Sequence, residues 1–390
     1  MEFRDLKRQY QNLKKEIDSE IENVIKNTTF ISGSQVKDLE RQLSEYVGRK
    51  YCVSCGNGTD ALTMSLMALG IGEGDAVFVP DFTFFATAEV VAFEGAVPIF
   101  VDVDENTFNM DPESLEAAVA AVTKEGKLKP KAIITVDLFG LPADYPQILK
   151  IADKYEMKVI EDSAQGFGGS IKGKMDCSFG DISTTSFFPA KPLGCYGDGG
   201  AIFTDDEETA AYLQSIRVHG KGSYKYENIR IGWNSRLDTL QAAIMLPKFK
   251  AFKEFELDKV NEAAVKYTKL LSGVVKTPTI PEGYCSSWAQ YTIQLRNEEE
   301  RDGLQAYLKE VGIPTMVYYP IPLHKQEAFA GQKIYLDCPT AEKLCKTVLS
   351  LPMHPYFEEG EIEKIVEVIK EYKKIVISFN NSNSNFPHEK

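Results

Sequence analysis

The feature that most constrains the fold is an alternation of short apolar segments with helical segments between residues 51 and 161. Apolar runs such as Ala76–Val79, Val97–Val101 and Ala132–Val136 are typical of buried strands, and segments such as Pro112–Val122 between them have helical character. Repeated strand–helix–strand units form a mostly parallel sheet that is covered by helices on both faces. We therefore predict an α/β fold.

The alternation ends after residue 180, and the chain then divides into parts of different character. We expect residues 1–250 to form a large α/β domain that begins with an amphipathic helix. Residues 251–376 have short strands such as Ala289–Leu295 and a helix over Arg301–Val311, which predicts a smaller α+β domain. Residues 377–390 are polar and low in complexity, so we expect a disordered tail there.

The charge of the chain excludes some partners. Its 390 residues include 44 basic and 57 acidic residues, for a formal net charge of −13. A non-specific nucleic-acid binder or a membrane-surface binder needs a basic field instead. The chain also has no apolar stretch long enough to span a bilayer and no apolar leader at its N-terminus, so we expect a cytoplasmic protein.

The seven cysteines are odd in number and mostly far apart in sequence, which indicates reduced thiols and not a disulfide framework. Cys52 and Cys55 form a C-x-x-C pair. A redox or zinc site is one interpretation of this pair, but no second cysteine pair or nearby histidine completes it. We favour the interpretation that Cys52 and Cys55 are two small residues buried at the end of a strand.

Two segments follow predicted strands, where open α/β sheets bind ligands. Gly58 and Thr59 stand between a strand and a helix, where backbone amides attract phosphate, although a simple tight turn explains them equally well. Glu161 and Asp162 end a buried strand. Either carboxylate could pair with a cationic ring nitrogen, bind a metal or cap the next helix. No histidine or third carboxylate is near in sequence, so we predict no metal site.

Lys191 has the most distinctive setting. It follows an apolar strand and stands between Pro189 and Pro192, and Pro192 biases it away from helical geometry. A surface lysine would be solvated, whereas an amine in an apolar, proline-fixed turn has a lowered pKa and becomes a usable nucleophile or base. Ser186, on the preceding strand, could donate its hydroxyl to a phosphate.

Pyridoxal 5′-phosphate needs a lysine, an acid at its ring nitrogen and an anion cradle, which are the three elements that these segments offer. The order of the motifs makes the match more specific. From about Phe3 to about Tyr372 the chain resembles the DegT/DnrJ/EryC1/StrS sugar aminotransferases, fold-type I enzymes that act on nucleotide-linked keto sugars. The motifs that carry the resemblance are Gly58-Thr59, Asp162-x-x-Gln165, Ser186-Phe-Phe-x-x-Lys191 and Gly232-Trp-Asn234-Ser-Arg236.

The resemblance implies a role for each residue around the cofactor ring. Lys191 would form the Schiff base with pyridoxal phosphate and shuttle the proton during transamination. Asp162 would bind the pyridinium nitrogen, and Gln165 would bond the ring oxygen. Phe84 would stack on the ring, although ordinary core packing is the alternative interpretation for this residue.

The resemblance also implies a phosphate site that two subunits share. Gly58, Thr59 and Ser186 would hold the cofactor phosphate. Asn234 would reach the phosphate of the neighbouring subunit's cofactor, so a homodimer with shared active sites is expected. Members with dehydratase chemistry have histidine at the lysine position, and Lys191 therefore favours transamination.

Candidate substrate contacts are less specific. Arg230 and Arg236 could hold a carboxylate or a pyrophosphate, and surface salt bridging is an equal alternative for Arg230. Tyr319 and His324 lie in a segment that resembles the sugar-contacting loop of the family. A structural histidine with satisfied hydrogen bonds is the alternative for His324.

The resemblance is greatest to members that aminate C3 of a keto sugar. We expect L-glutamate as the amino donor and UDP-2-acetamido-2-deoxy-3-oxo-glucuronate as the acceptor, with a product used for surface polysaccharide such as the O-antigen of lipopolysaccharide. A TDP-3-keto-6-deoxyhexose is the alternative acceptor. A non-catalytic regulator that binds cofactor or sugar is a second hypothesis, and a dehydratase or deaminase is a third, although the scattered cysteines supply no iron–sulfur ligand set.

Overall fold

A computed structural model describes residues 1–224 and 226–383, with side chains as far as Val376. The helices are α1 (Leu6–Asn27), α2 (Ser34–Val47), α3 (Gly58–Ala68), α4 (Ala86–Phe93), α5 (Pro112–Glu125), α6 (Tyr145–Lys154), α7 (Glu207–Ile216), α8 (Thr239–Ala251), α9 (Leu257–Leu271), α10 (Glu298–Glu310), α11 (Pro339–Thr347) and α12 (Glu361–Asn383). The strands are β1 (Tyr51–Cys55), β2 (Asp75–Pro80), β3 (Val97–Val101), β4 (Lys129–Val136), β5 (Lys158–Asp162), β6 (Ser170–Ile171), β7 (Lys174–Met175), β8 (Ile182–Ser186), β9 (Gly200–Thr204), β10 (Tyr284–Cys285), β11 (Tyr291–Gln294) and β12 (Val348–Leu351).

The main sheet has the strand order β1-β9-β8-β5-β4-β2-β3 within the described residues. Its strands run parallel except for β9, which is antiparallel to both of its neighbours. The predicted α/β class with a mostly parallel sheet is therefore confirmed. Strand β2 is apolar from Ala76 onward, and β4 has the apolar run Ala132 to Ile134, because helices cover both faces of the sheet.

Separate clusters of buried apolar side chains fill the two faces of the sheet. One face includes Val77 and Ile134, and the other includes Phe78 and Ile133, so neighbouring residues of one strand point to opposite cores. Each such side chain is fully buried and stabilises the fold by about 1.5–3 kcal/mol relative to an exposed one.

A further apolar core lies among α9, α10, α12 and the two-stranded sheet of β11 and β12. The predicted boundary at residue 250 falls within a continuous helical stretch, because α8 and α9 are joined by a π-helical turn over Phe252–Glu256. Helix α11 packs on the core of the large sheet and not only on the smaller one. The division into two domains therefore stays a prediction.

The last helix is longer than the sequence suggested. Helix α12 continues to Asn383, so the tail expected from residue 377 is helical in its first part. The apolar run from Ile375 onward suits a helix, whereas the polar, low-complexity residues that suggested a tail come later. Residues 384–390 lie outside the described residues. Among the described helices, none is both long enough and apolar enough to cross a membrane.

Candidate active site

The predicted cofactor residues come from segments that meet at one edge of the main sheet. Strands β5 and β8 are parallel, and β1 and β8 both pair antiparallel with β9, so β1, β5 and β8 all end at the same edge. The ends of β1 and β8 are level with each other, because Cys55 of β1 and Ser186 of β8 both pair with Gly200 of β9. The segments that carry Gly58, Asp162 and Lys191 therefore leave the sheet side by side.

Lys191 lies in a tight turn directly after β8. The backbone amide of Lys191 donates to the Phe188 carbonyl at 2.8 Å, and the Cys195 amide donates to the Phe187 carbonyl at 2.7 Å. The Lys191 side chain is half-buried. Burial lowers the pKa of its amine, whereas the negative charge of Asp162 acts in the opposite direction. The amine and the Asp162 carboxylate are therefore close enough to affect each other's charge.

The carboxylates of Glu161 and Asp162 point to opposite faces of β5, as alternate residues of a strand do. Asp162 is 6% exposed and accepts a hydrogen bond from the Ala164 amide at 3.1 Å. Burial raises the pKa of Asp162, against the lowering effects of that amide, Lys191 and the Thr87 hydroxyl. Glu161 instead accepts hydrogen bonds from backbone and side-chain donors below the sheet, so Asp162 is the carboxylate that belongs to the candidate site.

Gln165 is held between two loops. Its Oε1 accepts from the Phe139 amide at 2.9 Å, and its Nε2 donates to the Tyr319 hydroxyl at 3.1 Å. The ring of Phe84 lies 6.4 Å from that of Tyr319. Phe84 is 56% exposed, which argues against the alternative that it is an ordinary core residue. Lys191, Asp162, Gln165, Tyr319 and Phe84 thus form one connected group.

Gly58 begins helix α3, and the Asn57 side chain caps this helix by accepting from the Asp60 amide at 2.8 Å. A Cβ atom on Gly58 would stand 2.8 Å from the Cβ of Ser186. Glycine therefore allows the first turn of α3, which carries Thr59, to approach the Ser186 side chain at the end of β8. A helix N-terminus of this kind attracts an anion.

The predicted residues Arg230, Asn234 and Arg236 are not brought into this group within one chain. The Oδ1 of Asn234 accepts from the Arg236 guanidinium, and Asn234 is exposed. The guanidinium of Arg230 lies 4.8 Å from the centre of the Tyr212 ring. The residue after Asn234 contacts the loop before α3, because Ser235 Oγ accepts from the Gly56 amide at 2.8 Å.

His324 is held by two carboxylates. Its Nδ1 lies 2.6 Å from Oδ2 of Asp81, its amide donates to Oδ1 of Asp81 at 2.8 Å, and its Nε2 lies 3.4 Å from Glu342. The hydrogen bond to Asp81 raises the pKa of His324. This arrangement agrees with the structural alternative for His324, since it ties the loop of Tyr319 to the end of β2.

The sequence reasoning did not identify Arg4. Its guanidinium donates to the Pro192 carbonyl at 3.1 Å, which fixes the residue after Lys191, and its positive charge helps to lower the pKa of Lys191. The two segments are far apart in sequence, so no local pattern could have linked them. In the sequence, Arg4 is simply one basic residue of an amphipathic N-terminal segment.

Comparison with known proteins now identifies the family. The sequence profile of the DegT/DnrJ/EryC1/StrS aminotransferase family matches residues 11–370. The chain belongs to this family. A relative from Pseudomonas aeruginosa, UDP-2-acetamido-2-deoxy-3-oxo-D-glucuronate aminotransferase, is 49% identical over 94% of this chain and 98% of its own. A protein of Geobacillus stearothermophilus named as a pleiotropic regulatory protein is 45% identical over 94% of this chain and 97% of its own.

The fold comparison agrees. A solved structure of a family aminotransferase from Brucella abortus has a TM-score of 0.93 and 49% identity, and the match covers 96% of this chain and 99% of that one. The predicted family, fold-type I architecture and aminotransferase class are therefore confirmed. Solved structures of similar aminotransferases hold the cofactor in its pyridoxal or pyridoxamine form, and pyridoxal 5′-phosphate is the cofactor of the family.

The residues present fit this cofactor. A Cβ on Gly58 would lie 2.8 Å from the Cβ and 3.3 Å from the Oγ of Ser186, so the N-terminus of α3 and the Ser186 hydroxyl lie side by side, which suits a phosphate group. Asp162 supplies a buried carboxylate for a cationic ring nitrogen, and Lys191 supplies an amine whose pKa is lowered. An acid, an amine and an anion site at one sheet edge are what the cofactor requires.

Proposed function

We propose that the protein transfers the amino group of L-glutamate to C3 of UDP-2-acetamido-2-deoxy-3-oxo-D-glucuronate. The observation that carries the aminotransferase chemistry is the juxtaposition of Lys191 with the buried Asp162 carboxylate at the end of the sheet. The acceptor sugar is inferred from the Pseudomonas aeruginosa relative, which matches this chain over almost all of both lengths.

When bound, pyridoxal phosphate supplies an electron sink for the bond that breaks at Cα of the amino donor. Lys191 is the residue that we propose takes the proton from that Cα. An amine is a better general base near neutral pH when its pKa is lowered toward the working pH, and burial of Lys191 has this effect.

Asp162 would hold the proton on the ring nitrogen. A carboxylate is required there, because a neutral acceptor would stabilise the protonated nitrogen less. The buried position of Asp162 strengthens this interaction by excluding water. Gln165 would bond the ring oxygen, and Phe84 would cover one face of the ring.

Gly58, Thr59 and Ser186 would hold the cofactor phosphate. The N-terminus of α3 offers free backbone amides, and Ser186 is adjacent to it. These donors explain how a chain with a net charge of −13 can bind a phosphorylated cofactor, since they act locally.

We also propose a homodimer in which Asn234 reaches the phosphate site of the partner. Exposed apolar side chains near Asn234 support an interface there, because Ile231 is 87% exposed and Ile229 is 55% exposed. Arg230 and Arg236, in the same segment, would then bind the anionic nucleotide sugar together with Tyr319, and His324 would act indirectly, by holding the loop of Tyr319 against Asp81.

The shared site can be tested by mixing two inactive variants, Lys191→Ala and Asn234→Ala. In a symmetric dimer with shared sites, each mixed dimer has one intact site, and about half of the dimers are mixed after full exchange. We expect about a quarter of the wild-type activity. No recovery after proven exchange would contradict the shared site.

The substrate is tested with the purified protein, L-glutamate and a panel of UDP- and TDP-linked keto sugars, with product masses as the readout. We expect amination of the UDP-3-oxo-glucuronate substrate. Preference for a TDP-3-keto-6-deoxyhexose would support the alternative acceptor. We place the reaction in the cytoplasm, in surface polysaccharide biosynthesis such as that of O-antigen, and the free thiol state of all seven cysteines agrees with a reducing compartment.

A regulatory role is the second candidate function, because the Geobacillus stearothermophilus relative is named as a regulatory protein. A regulator without turnover would bind the cofactor and yet release no 2-oxoglutarate when L-glutamate is added. We expect about one equivalent of 2-oxoglutarate per cofactor in the absence of an acceptor sugar, which the regulator hypothesis does not predict.

A further inference from the structure

Three carboxylates meet behind β5, on the side away from Lys191. They belong to Asp137, Glu161 and Asp176, and one oxygen of each lies within 4.8 Å of the others. Asp137 and Glu161 are fully buried, and Asp176 is 1% exposed. Three acidic groups so close together inside a protein need compensation.

Two of the three have donors that suit ionised carboxylates. Asp137 accepts from the Ala143 amide at 3.0 Å and from the Tyr145 hydroxyl at 2.7 Å. Glu161 accepts from the Cys177 and Phe179 amides at 2.6 and 2.7 Å. Fixed donors therefore hold these two carboxyl groups next to each other, against the raising effect of burial on the pKa of each.

Asp176 differs, because neither of its oxygens has a hydrogen-bond partner among the described residues although both are buried. Its carboxylate lies in space that two glycines leave open, since a Cβ on Gly166 or Gly169 would stand 2.6 or 2.5 Å from its Oδ2. A Cβ on Gly169 would also stand 3.0 Å from the Gly140 carbonyl oxygen. An unpartnered carboxylate thus faces two other carboxylates beside a backbone carbonyl.

The charges of nearby side chains do not balance this cluster. The Arg49 guanidinium acts on Glu161, but Arg49 is also paired with Asp205 at 2.8 Å. Tyr46, Tyr145 and Cys177 also lie near Asp176, and none of these side chains can carry a positive charge. Among the described residues, no positively charged side chain is paired with Asp176.

We propose that Asp137, Glu161 and Asp176 bind one hard cation, a sodium, potassium, magnesium or calcium ion. Carboxylate and carbonyl oxygens are the ligands that such ions take. The site is distinct from the cofactor site and does not depend on the identity of the sugar substrate.

The cation would stabilise the segment that holds the candidate cofactor residues. The Ser163 hydroxyl lies within hydrogen-bond distance of Asp137 and, at 3.0 Å, of Glu161, and the Asp137 amide donates to the Asp162 carbonyl at 3.1 Å. A cation bound by the three carboxylates would therefore fix the backbone from Asp162 onward.

The test uses the full-length protein with its cofactor bound. Metal ions are removed with a chelating resin into a tetramethylammonium buffer, and thermal unfolding is then followed with sodium, potassium, magnesium or calcium chloride at constant ionic strength. We expect one or more of these ions to raise Tm saturably, by about 2 °C or more, and elemental analysis to find about one equivalent per chain.

Asp176→Asn tests the assignment to this cluster, and Asp153→Asn, at an exposed position, is the matched control. We expect the first variant to lose the ion response and to be more stable than the ion-free wild type, because it has one less repelling charge. The control should keep the full response. If Asp176→Asn does not fold, the wild-type titration and the elemental analysis decide.

A wild-type Tm that is the same in all four ions and in tetramethylammonium, without stoichiometric metal, would overturn the proposal. In that case the three carboxylates share protons instead. An ion response that persists unchanged in folded Asp176→Asn would also overturn it, since the ion would then bind elsewhere.

Discussion

Replacing Asp162 with asparagine tests the electrostatic design of the candidate site. The substitution keeps the size of the side chain and its hydrogen bond from the Ala164 amide. It removes the negative charge that would face the ring nitrogen and that already acts on Lys191. We expect the variant to fold and to bind the cofactor, but to be a poor catalyst.

The magnitude follows from burial. Asp162 is 6% exposed, so its pairing with a cationic nitrogen takes place in a medium of low dielectric constant. Removal of one partner of such a buried charged pair costs about 3–5 kcal/mol. Since each 1.36 kcal/mol is a factor of ten in rate, kcat should fall by about 10²–10⁴-fold.

The assay is the release of 2-oxoglutarate from L-glutamate in single turnover, with Asp198→Asn as the control at an exposed position. A second readout needs no cofactor. The charge of Asp162 raises the pKa of Lys191, so its loss should lower that pKa further and speed labelling of Lys191 by an amine reagent in the cofactor-free protein. A kcat within about five-fold of wild type, with unchanged labelling, would refute this reasoning.

Three other substitutions test separate parts of the account. Gly58→Ala places a methyl group 2.8 Å from the Ser186 side chain of β8, so cofactor affinity in a fluorescence titration should fall by about ten-fold or more. The control Gly72→Ala, whose new methyl group has its nearest contact at 3.7 Å, should bind the cofactor normally. Arg4→Met removes a charge that lowers the pKa of Lys191, so labelling of Lys191 at fixed pH should slow, and faster labelling would contradict the role of Arg4. Burial lowers the pKa of Lys248 to about 8, below its value in the unfolded chain. The buried positive charge of Lys248 therefore destabilises the fold at pH 7, and this destabilisation fades as the pH rises above about 8. Replacing Lys248 with methionine should therefore raise the free energy of unfolding by roughly 1–3 kcal/mol at pH 7 and by less at pH 10, and chemical denaturation at both pH values measures this.

Much of the fold could be predicted because its elements have local signatures. The strand predicted over Val97–Val101 has the same bounds in the structure, and the buried strand predicted to end with Glu161 and Asp162 is β5. The apolar strand predicted before Lys191 is β8, which ends at Ser186 because Phe187 and Phe188 give their backbone carbonyls to the turn around Lys191. Cys52 and Cys55 are buried in β1, as the favoured interpretation of that pair expected.

The rest of the site depends on contacts between distant parts of the chain. His324 pairs with Asp81, and Arg4 bonds the carbonyl after Lys191, and neither contact leaves a periodic or local pattern in the sequence. The third carboxylate near Glu161 was missed for the same reason, because Asp176 comes close only when β6 and β7 fold back.

The most direct test of the central claim is to find which lysine carries the cofactor. The purified protein is reduced with borohydride, digested and analysed by mass spectrometry for the peptide that bears the pyridoxyl group. Lys248 is an internal comparison, since it is a second buried amine with a lowered pKa. The account predicts labelling of Lys191 at about one equivalent per chain, whereas labelling of Lys248 or of another residue, with Lys191 unmodified, would contradict it.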